Sequence, residues 1–192
     1  MPTIRPKDIN FGSESFSAVA LTFAYDAITS IRFEYVVYKH YPQMVTLHHP
    51  RLEFYVENNP TSVKIGRKLL QSVGMAEESA RSVVSVYEEL SRCTFCGRLA
   101  RYDKQIEETG GFTYDGKRLM KDGSVLSLAG KPIMNLREKK LFRFPDRIEC
   151  DPRDGAMSRV ARFVPMIGQT IHTRFDRDVF LSLLDGLYGI RW

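Results

Sequence analysis

The sequence predicts an α+β fold, because two kinds of apolar pattern occupy different parts of the chain. Between residues 16 and 56 apolar side chains recur at every second position, which is the period of a half-buried strand. Residues 76–90 and 176–190 instead carry apolar side chains at helical spacing. The predicted architecture is an antiparallel N-terminal sheet, a central helical pair, a small basic β subdomain and a C-terminal helix.

The length of the chain fits one domain. It has 192 residues, of which 43% are apolar, and this is enough to bury a core. Residues 1–14 are polar and contain Pro, Gly and Ser, so we predict a flexible N-terminal arm there. The remainder, residues 15–192, is predicted to form a single α+β domain with residues 98–143 as a basic subregion.

The N-terminal sheet is predicted from three alternating runs. Residues 19–25 and 31–37 alternate around a short turn, which predicts a β-hairpin with one buried face. A third run spans residues 45–56. It is either one long strand or two short strands broken at Pro50.

The central helical pair is predicted from spacing and capping. The first helix is expected over residues 63–73, with Gly74 just past its end. The second is expected from Ala76 to Leu90, and the acidic residues near its start complement the helix dipole.

The rest of the chain is predicted to be short strands and one helix. Turn dipeptides at Asp115-Gly116 and Asp122-Gly123 indicate a small meander over residues 112–128. Residues 159–165 alternate and predict another strand. The last helix is expected to begin near Asp176 and to pack its apolar stripe on the core.

The net charge of +5 is concentrated in the middle of the chain. Residues 98–143 hold 11 Lys and Arg against 6 Asp and Glu, whereas residues 1–97 hold 10 and 10 and residues 144–192 hold 7 and 7. This block predicts a surface for phosphates of nucleic acid or an anionic membrane. The alternative is a solvated loop region. The cations that would carry the charge are Arg98, Arg101, Lys104, Lys117, Arg118, Lys121, Arg137, Lys139, Lys140 and Arg143.

Aromatic residues are interleaved with cations in residues 137–144. Phe142 and Phe144 are the predicted stacking or wedge residues, because aromatic faces stack on bases and also enter a membrane interface. Alternatively, both are core residues of a strand whose wet face carries the cations.

A C-x-x-C pair followed by Gly97 is the sequence's strongest metal signal. Such a turn can wrap a zinc ion, but a structural zinc needs four ligands and the sequence has no second pair. Plain structural thiols are therefore favoured over zinc, and a redox pair lacks its usual strand-to-helix context. The predicted zinc ligands are Cys93, Cys96, Cys150 and His172, with His40, His48 and His49 as substitutes.

These features predict a non-catalytic protein that binds phosphates of nucleic acid through a basic face. No nucleophile with a placed histidine, phosphate-binding loop or dinucleotide turn occurs in the sequence. The odd cysteine count and the absence of a long apolar run predict an intracellular protein, cytoplasmic or nuclear, without a transmembrane segment. The alternative is a self-assembling viral structural protein, matrix- or capsid-associated, whose basic face contacts membrane or genome as a homo-oligomer.

Overall fold

The computed structural model describes residues 3–40, 45–59, 62–66, 76–138, 141–144, 147–150 and 170–191. These residues form largely antiparallel sheets and two helices, which confirms the predicted α+β class. The chain divides into two compact units, Met1–Arg101 and Tyr102–Trp192.

Unit 1 contains seven of the strands and most of the first helix. Its elements are β1 (Thr3–Ile4), a 3₁₀ turn (Pro6–Asp8), β2 (Ile9–Phe11), β3 (Ser15–Ala18), β4 (Leu21–Ala24), β5 (Ile28–His40), β6 (Val45–Val56), β7 (Val63–Ile65) and α1 (Glu77–Thr109) up to residue 101. The strands form two sheets, ordered β1-β7-β6-β5 and β2-β3-β4. Their shared core includes Phe16, Ile31, Leu52, Phe54 and Leu90.

The third predicted run forms one long strand. β6 continues through Pro50 and pairs with β5 over its whole length. Its pairing with β7 is confined to Leu52–Phe54. Pro50 is tolerated because, among the described strands, β6 has a partner on only one side at that position.

The structure places residues 3–11 inside the folded unit, which differs from the flexible arm predicted for residues 1–14. β1 pairs in parallel with β7, and Ile4 is buried in the core. β2 pairs with β3, and Phe11 packs against the same core. Burial of these apolar side chains outweighs the loop-forming composition of the segment.

The strand pairing predicted for the first two alternating runs is wrong. The first run contains β4, which pairs with β3, whereas β5 pairs with β6. The β3–β4 turn at Val19 and Ala20 contains no Gly, Asn or Pro, so no residue there signals a turn. Val19 adopts φ +58°, a left-handed conformation that β-branched residues rarely take.

The helix predicted to open at residue 63 is also wrong at its start. Val63 and Ile65 are buried on either side of exposed Lys64, and the three residues form β7. This alternation is the strand period, which outweighs the capping pattern upstream. Residues 67–73 of that predicted helix, with Gly74, lie outside the described residues.

The second predicted helix is present but longer than expected. α1 begins at Glu77 and continues past Leu90 to Thr109. Buried Ala80, Val83 and Leu90 line its core face. The helix passes through the cysteine pair and Gly97, because a single glycine costs a helix interior only about 1 kcal/mol.

Unit 2 contains the remaining strands and the second helix. Its elements after α1 are β8 (Gly111–Tyr114), β9 (Lys117–Met120), β10 (Ser124–Ser127), β11 (Pro132–Asn135), β12 (Leu141–Arg143), β13 (Arg147–Cys150), β14 (Thr170–His172) and α2 (Arg177–Tyr188). The sheets are ordered β11-β10-β9-β8 and β12-β13-β14. The predicted meander is confirmed, and its Asp115-Gly116 turn has two positive φ angles, as a type I′ hairpin requires.

The predicted C-terminal helix is confirmed as α2. Val179, Phe180, Leu183 and Leu184 are buried along one stripe. Phe180 stacks on Tyr114 of β8 with ring centroids 3.9 Å apart. The strand predicted at residues 159–165 lies outside the described residues.

Candidate anion-binding corner

Arg118 of β9 caps the C-terminal end of α1. Its Nη2 donates a hydrogen bond to the carbonyl oxygen of Thr109, the last residue of that helix, at 3.3 Å. No basic residue lies in the last turn of α1 itself. A cation at this point is stabilised by the negative end of the helix dipole.

Arg137 caps the C-terminal end of α2 in the same way. Its Nη2 donates to the carbonyl of Leu187 in the last turn at 3.1 Å, and to the carbonyl of Lys121 at 3.3 Å. The backbone N–H of Lys121 donates in turn to the Gly110 carbonyl at 3.0 Å. One small region of unit 2 therefore joins the ends of both helices to the turn between β9 and β10.

Three exposed residues with cationic side chains belong to this region, which we call the anion-binding corner: Arg118, Lys121 and Arg137. Their nitrogen atoms make no ion pair within the described part of the chain. The two arginines bond to carbonyl oxygens, which orient a guanidinium but leave its charge in place. The carboxylate of Asp122 lies in the same region: hydrogen bonds from Ser124, and to a smaller degree the charge of Arg137, hold the pKa of Asp122 below its usual range.

Arg98, the first cation of the predicted basic face, is fully buried. Its Nε donates to Thr94 Oγ1 at 3.0 Å, and its Nη2 donates to the Ser91 carbonyl at 3.2 Å. The side chain lies along the buried face of α1, so it does not belong to a solvent-facing surface. The prediction was wrong for this residue because a charge count carries no information about burial.

Three more predicted cations are paired with carboxylates. Arg101 lies 3.6 Å from Glu57 and also donates to the Asp26 carbonyl. Lys104 lies 3.9 Å from Glu108, and Lys117 lies 3.3 Å from Asp115. These pairs reduce the positive charge that each cation offers to an external phosphate.

The interleaved segment around β12 is only partly described, since Lys139 and Lys140 lie outside the described residues. Arg143 and Phe142 are exposed, and Phe142 is 38% accessible. Phe144 is half-buried and carries the guanidinium of Arg147 over its ring at 4.5 Å. An exposed aromatic beside an exposed arginine is compatible with stacking on a base.

The cysteine pair lies within α1 rather than in a turn. Cys93 is half-buried and Cys96 is exposed. Cys93 Sγ lies 3.4 Å from the Arg92 guanidinium and 3.7 Å from Glu89. A helical C-x-x-C does not wrap backbone amides around a metal as the predicted turn would.

The structure gives little geometry for the rest of the predicted zinc set. His172 is exposed on β14, and the Cys150 side chain lies outside what the structure describes. No group of three potential metal ligands occurs among the described residues. Structural zinc therefore stays a prediction.

The sequence prediction missed the outer half of the β5–β6 hairpin. Tyr35, Val36, Val37 and Tyr38 are all exposed, although the alternation had assigned them one buried face. The available signal was the apolar character of four consecutive residues, which leaves neither face polar.

Comparison with known proteins adds no assignment. No family model, curated protein or solved structure matches the chain. Across the described residues, neither helix is long and apolar enough to span a bilayer.

Proposed function

We propose that the protein is a non-catalytic binding protein that engages phosphates of nucleic acid through the anion-binding corner. The observation that carries this proposal is the convergence of Arg118, Lys121 and Arg137 in one exposed region, with the two arginines oriented by carbonyl oxygens. Guanidinium and ammonium groups bind phosphate oxygens and release condensed counterions from nucleic acid. The proposal narrows the predicted basic face, because Arg98 is buried and Arg101, Lys104 and Lys117 are paired.

The experiment measures binding of the full chain to labelled duplex DNA and single-stranded RNA by fluorescence anisotropy across a salt series. The test variant replaces Arg118, Lys121 and Arg137 with Gln. We expect an affinity loss of about a hundredfold at low salt, and a salt slope on duplex DNA shallower by about 2–3. Circular dichroism melting checks that the variant is folded.

The matched control removes three exposed cations from unit 1, with Arg5, Lys7 and Arg81 replaced by Gln. It changes net charge equally but leaves the corner intact, so its affinity should fall only slightly. Equal losses in both variants would show that net charge alone drives binding. A third variant, with Lys139, Lys140 and Arg143 changed to Glu, measures the contribution of the β12 segment.

A second candidate is a self-assembling viral structural protein of the matrix- or capsid-associated kind. The observation that favours it is the position of β5, a long strand at the edge of its described sheet. A long edge strand offers unpaired backbone groups to another chain. Size-exclusion chromatography with light scattering tests this candidate, since a strict monomer at high concentration would contradict it.

A further inference from the structure

The outer half of the β5–β6 hairpin, residues 35–40 and 45–50, is here called the ribbon. Four consecutive apolar side chains of β5 are exposed in it: Tyr35 by 39%, Val36 by 40%, Val37 by 47% and Tyr38 by 57%. Successive strand residues point to opposite faces, so two of these side chains lie on each face. A run of this kind on a wet surface is unfavourable unless it serves a contact.

The two tyrosines lie on opposite faces of the ribbon, and each contacts a histidine of β6. The Tyr35 hydroxyl and His48 Nδ1 are hydrogen-bonded at 2.7 Å. The Tyr38 ring meets the His49 ring edge-on, with centroids 5.1 Å apart. Each tyrosine thus presents an apolar ring while keeping a polar end, as aromatic residues at a membrane interface do.

The charge of the ribbon has one sign. Residues 35–40 and 45–50 contain no Asp or Glu, whereas they contain Lys39 and three of the four histidines of the chain. Lys39 is exposed near the far end of β5. The base of the same sheet is different, because Arg32 and Lys64 lie within 4 Å of the buried Glu53 carboxylate.

We propose that the ribbon docks into the interfacial region of a bilayer that contains anionic phospholipid. A flat protein partner would cover only one face of the ribbon. A second copy paired along β5 would cover only one edge. The interfacial region surrounds an inserted ribbon, so it can accept Val37 on one face and Val36 on the other. Lys39 can then reach the anionic headgroups, an attraction complementary to the carboxylate-free stretch. The inference is independent of the anion-binding corner.

The experiment is flotation of the full chain with vesicles of phosphatidylcholine and phosphatidylserine, and with vesicles of phosphatidylcholine alone. The test variant is Val36→Thr with Val37→Thr, which keeps the β-branched shape and removes apolar contact. We expect its partitioning into the mixed vesicles to fall about tenfold or more. Lys39→Gln should lower partitioning about fivefold on mixed vesicles and leave the weaker partitioning on phosphatidylcholine unchanged.

The matched control is Val19→Thr with Leu21→Thr, which removes two exposed apolar side chains from the β3–β4 hairpin of the same unit. It should partition like the wild type. Equal partitioning of the ribbon variant and the wild type overturns the proposal. The proposal is also overturned if the wild-type protein does not bind vesicles and the ribbon variant loses self-association. The ribbon would then contact a second copy of the chain.

A spectroscopic readout separates insertion from simple charge attraction. Val37→Trp in a Trp192→Phe background places the single tryptophan of the chain on the ribbon. We expect a blue shift of its emission and quenching by brominated lipid when the mixed vesicles are added. Vesicle binding without either change would mean that the ribbon stays in water, and the proposal would fail.

Discussion

The two units hold cations differently at the sheet around Glu53 and at the anion-binding corner. On the sheet of unit 1, the Glu53 carboxylate accepts from Arg51 at 2.9 Å and lies within 4 Å of Arg32 and Lys64, so positive charge is matched by a buried acid. In unit 2, Arg118 and Arg137 donate to helix-end carbonyls, which carry only partial charge.

The two units also differ in the apolar surface that they expose. Unit 1 exposes four consecutive apolar residues on the ribbon, whereas among the described residues of unit 2 the exposed large apolar side chains, Leu128, Phe142 and Phe175, are separate in sequence. The ribbon, with its exposed apolar side chains, suits an apolar contact. A region that leaves cations unmatched suits an anion. The comparison supports a separate role for each unit.

The largest expected effect tests the charge matching of unit 1. Glu53→Gln leaves three cations around a neutral amide, and we expect the free energy of unfolding to fall by about 3 kcal/mol. Urea denaturation measures it. Glu88→Gln, at an exposed position of α1, is the control and should stay within about 0.5 kcal/mol of the wild type. An unfolding free energy of Glu53→Gln equal to that of the wild type would show that matching these cations to a buried acid does not stabilise unit 1.

Alkaline pH tests one tyrosine hydroxyl in each unit. Burial, together with the neighbouring Cys93 thiol, raises the pKa of Tyr25 to about 12, and burial raises the pKa of Tyr188 to about 12. The neutral phenol is favoured in the folded state, so this stability is complete below pH 10 and is lost as pH rises toward 12. For Tyr25 we expect a loss of about 2 kcal/mol.

The measurement is urea denaturation at several pH values between 9 and about 12. Tyr25→Phe should flatten the profile, although it costs the hydrogen bond from the Tyr25 hydroxyl to the Gly12 carbonyl at 2.9 Å. Tyr38→Phe, at an exposed position, should leave the profile as it is. A Tyr25→Phe profile as steep as that of the wild type would show that ionisation of Tyr25 does not cause the loss of stability at alkaline pH.

A smaller effect is expected from the cap of α2. Arg137→Met removes the donor to the Leu187 carbonyl, and we expect a loss of about 1 kcal/mol. Arg191→Met is the matched control, because its ion pair with Asp185 is exposed and should contribute little. Equal unfolding free energies for the two variants would show that Arg137 does not stabilise the helix end.

The smallest effect concerns the strained turn of unit 1. Val19→Gly relieves the left-handed backbone of a β-branched residue, and the added chain entropy of glycine offsets part of that gain. We expect the variant to be more stable by about 0.5–1 kcal/mol. Thermal unfolding, compared with Val19→Ala, measures it. A destabilised glycine variant would mean that the valine side chain makes a contact that outweighs the strain.

Local patterns in the sequence predicted much of the fold. The Asp115-Gly116 turn identified its hairpin, and the stripe containing Phe180 and Leu183 identified α2. The predictions were wrong where the local sequence carried no structural signal or an ambiguous one. The Val19 turn carries no turn residue, and Val63 to Ile65 is too short to separate strand from helix by composition.

The candidate site was less predictable than the fold. Arg118, Lys121 and Arg137 were among the predicted cations, but their convergence depends on where two helices end. Arg98 was equally cationic in sequence and is buried. Tertiary packing decides these outcomes, and a single sequence does not report it.

The parallel pairing of β1 with β7 has a consequence for the order of synthesis. Thr3 lies beside Lys64 in the sheet, so β1 leaves the ribosome before β7 and cannot pair until that later strand has been made. At ordinary elongation rates that delay is on the order of 3 to 12 s. During it, Ile4 has no core to enter, whereas the neighbouring hairpin of β3 and β4 can close within microseconds.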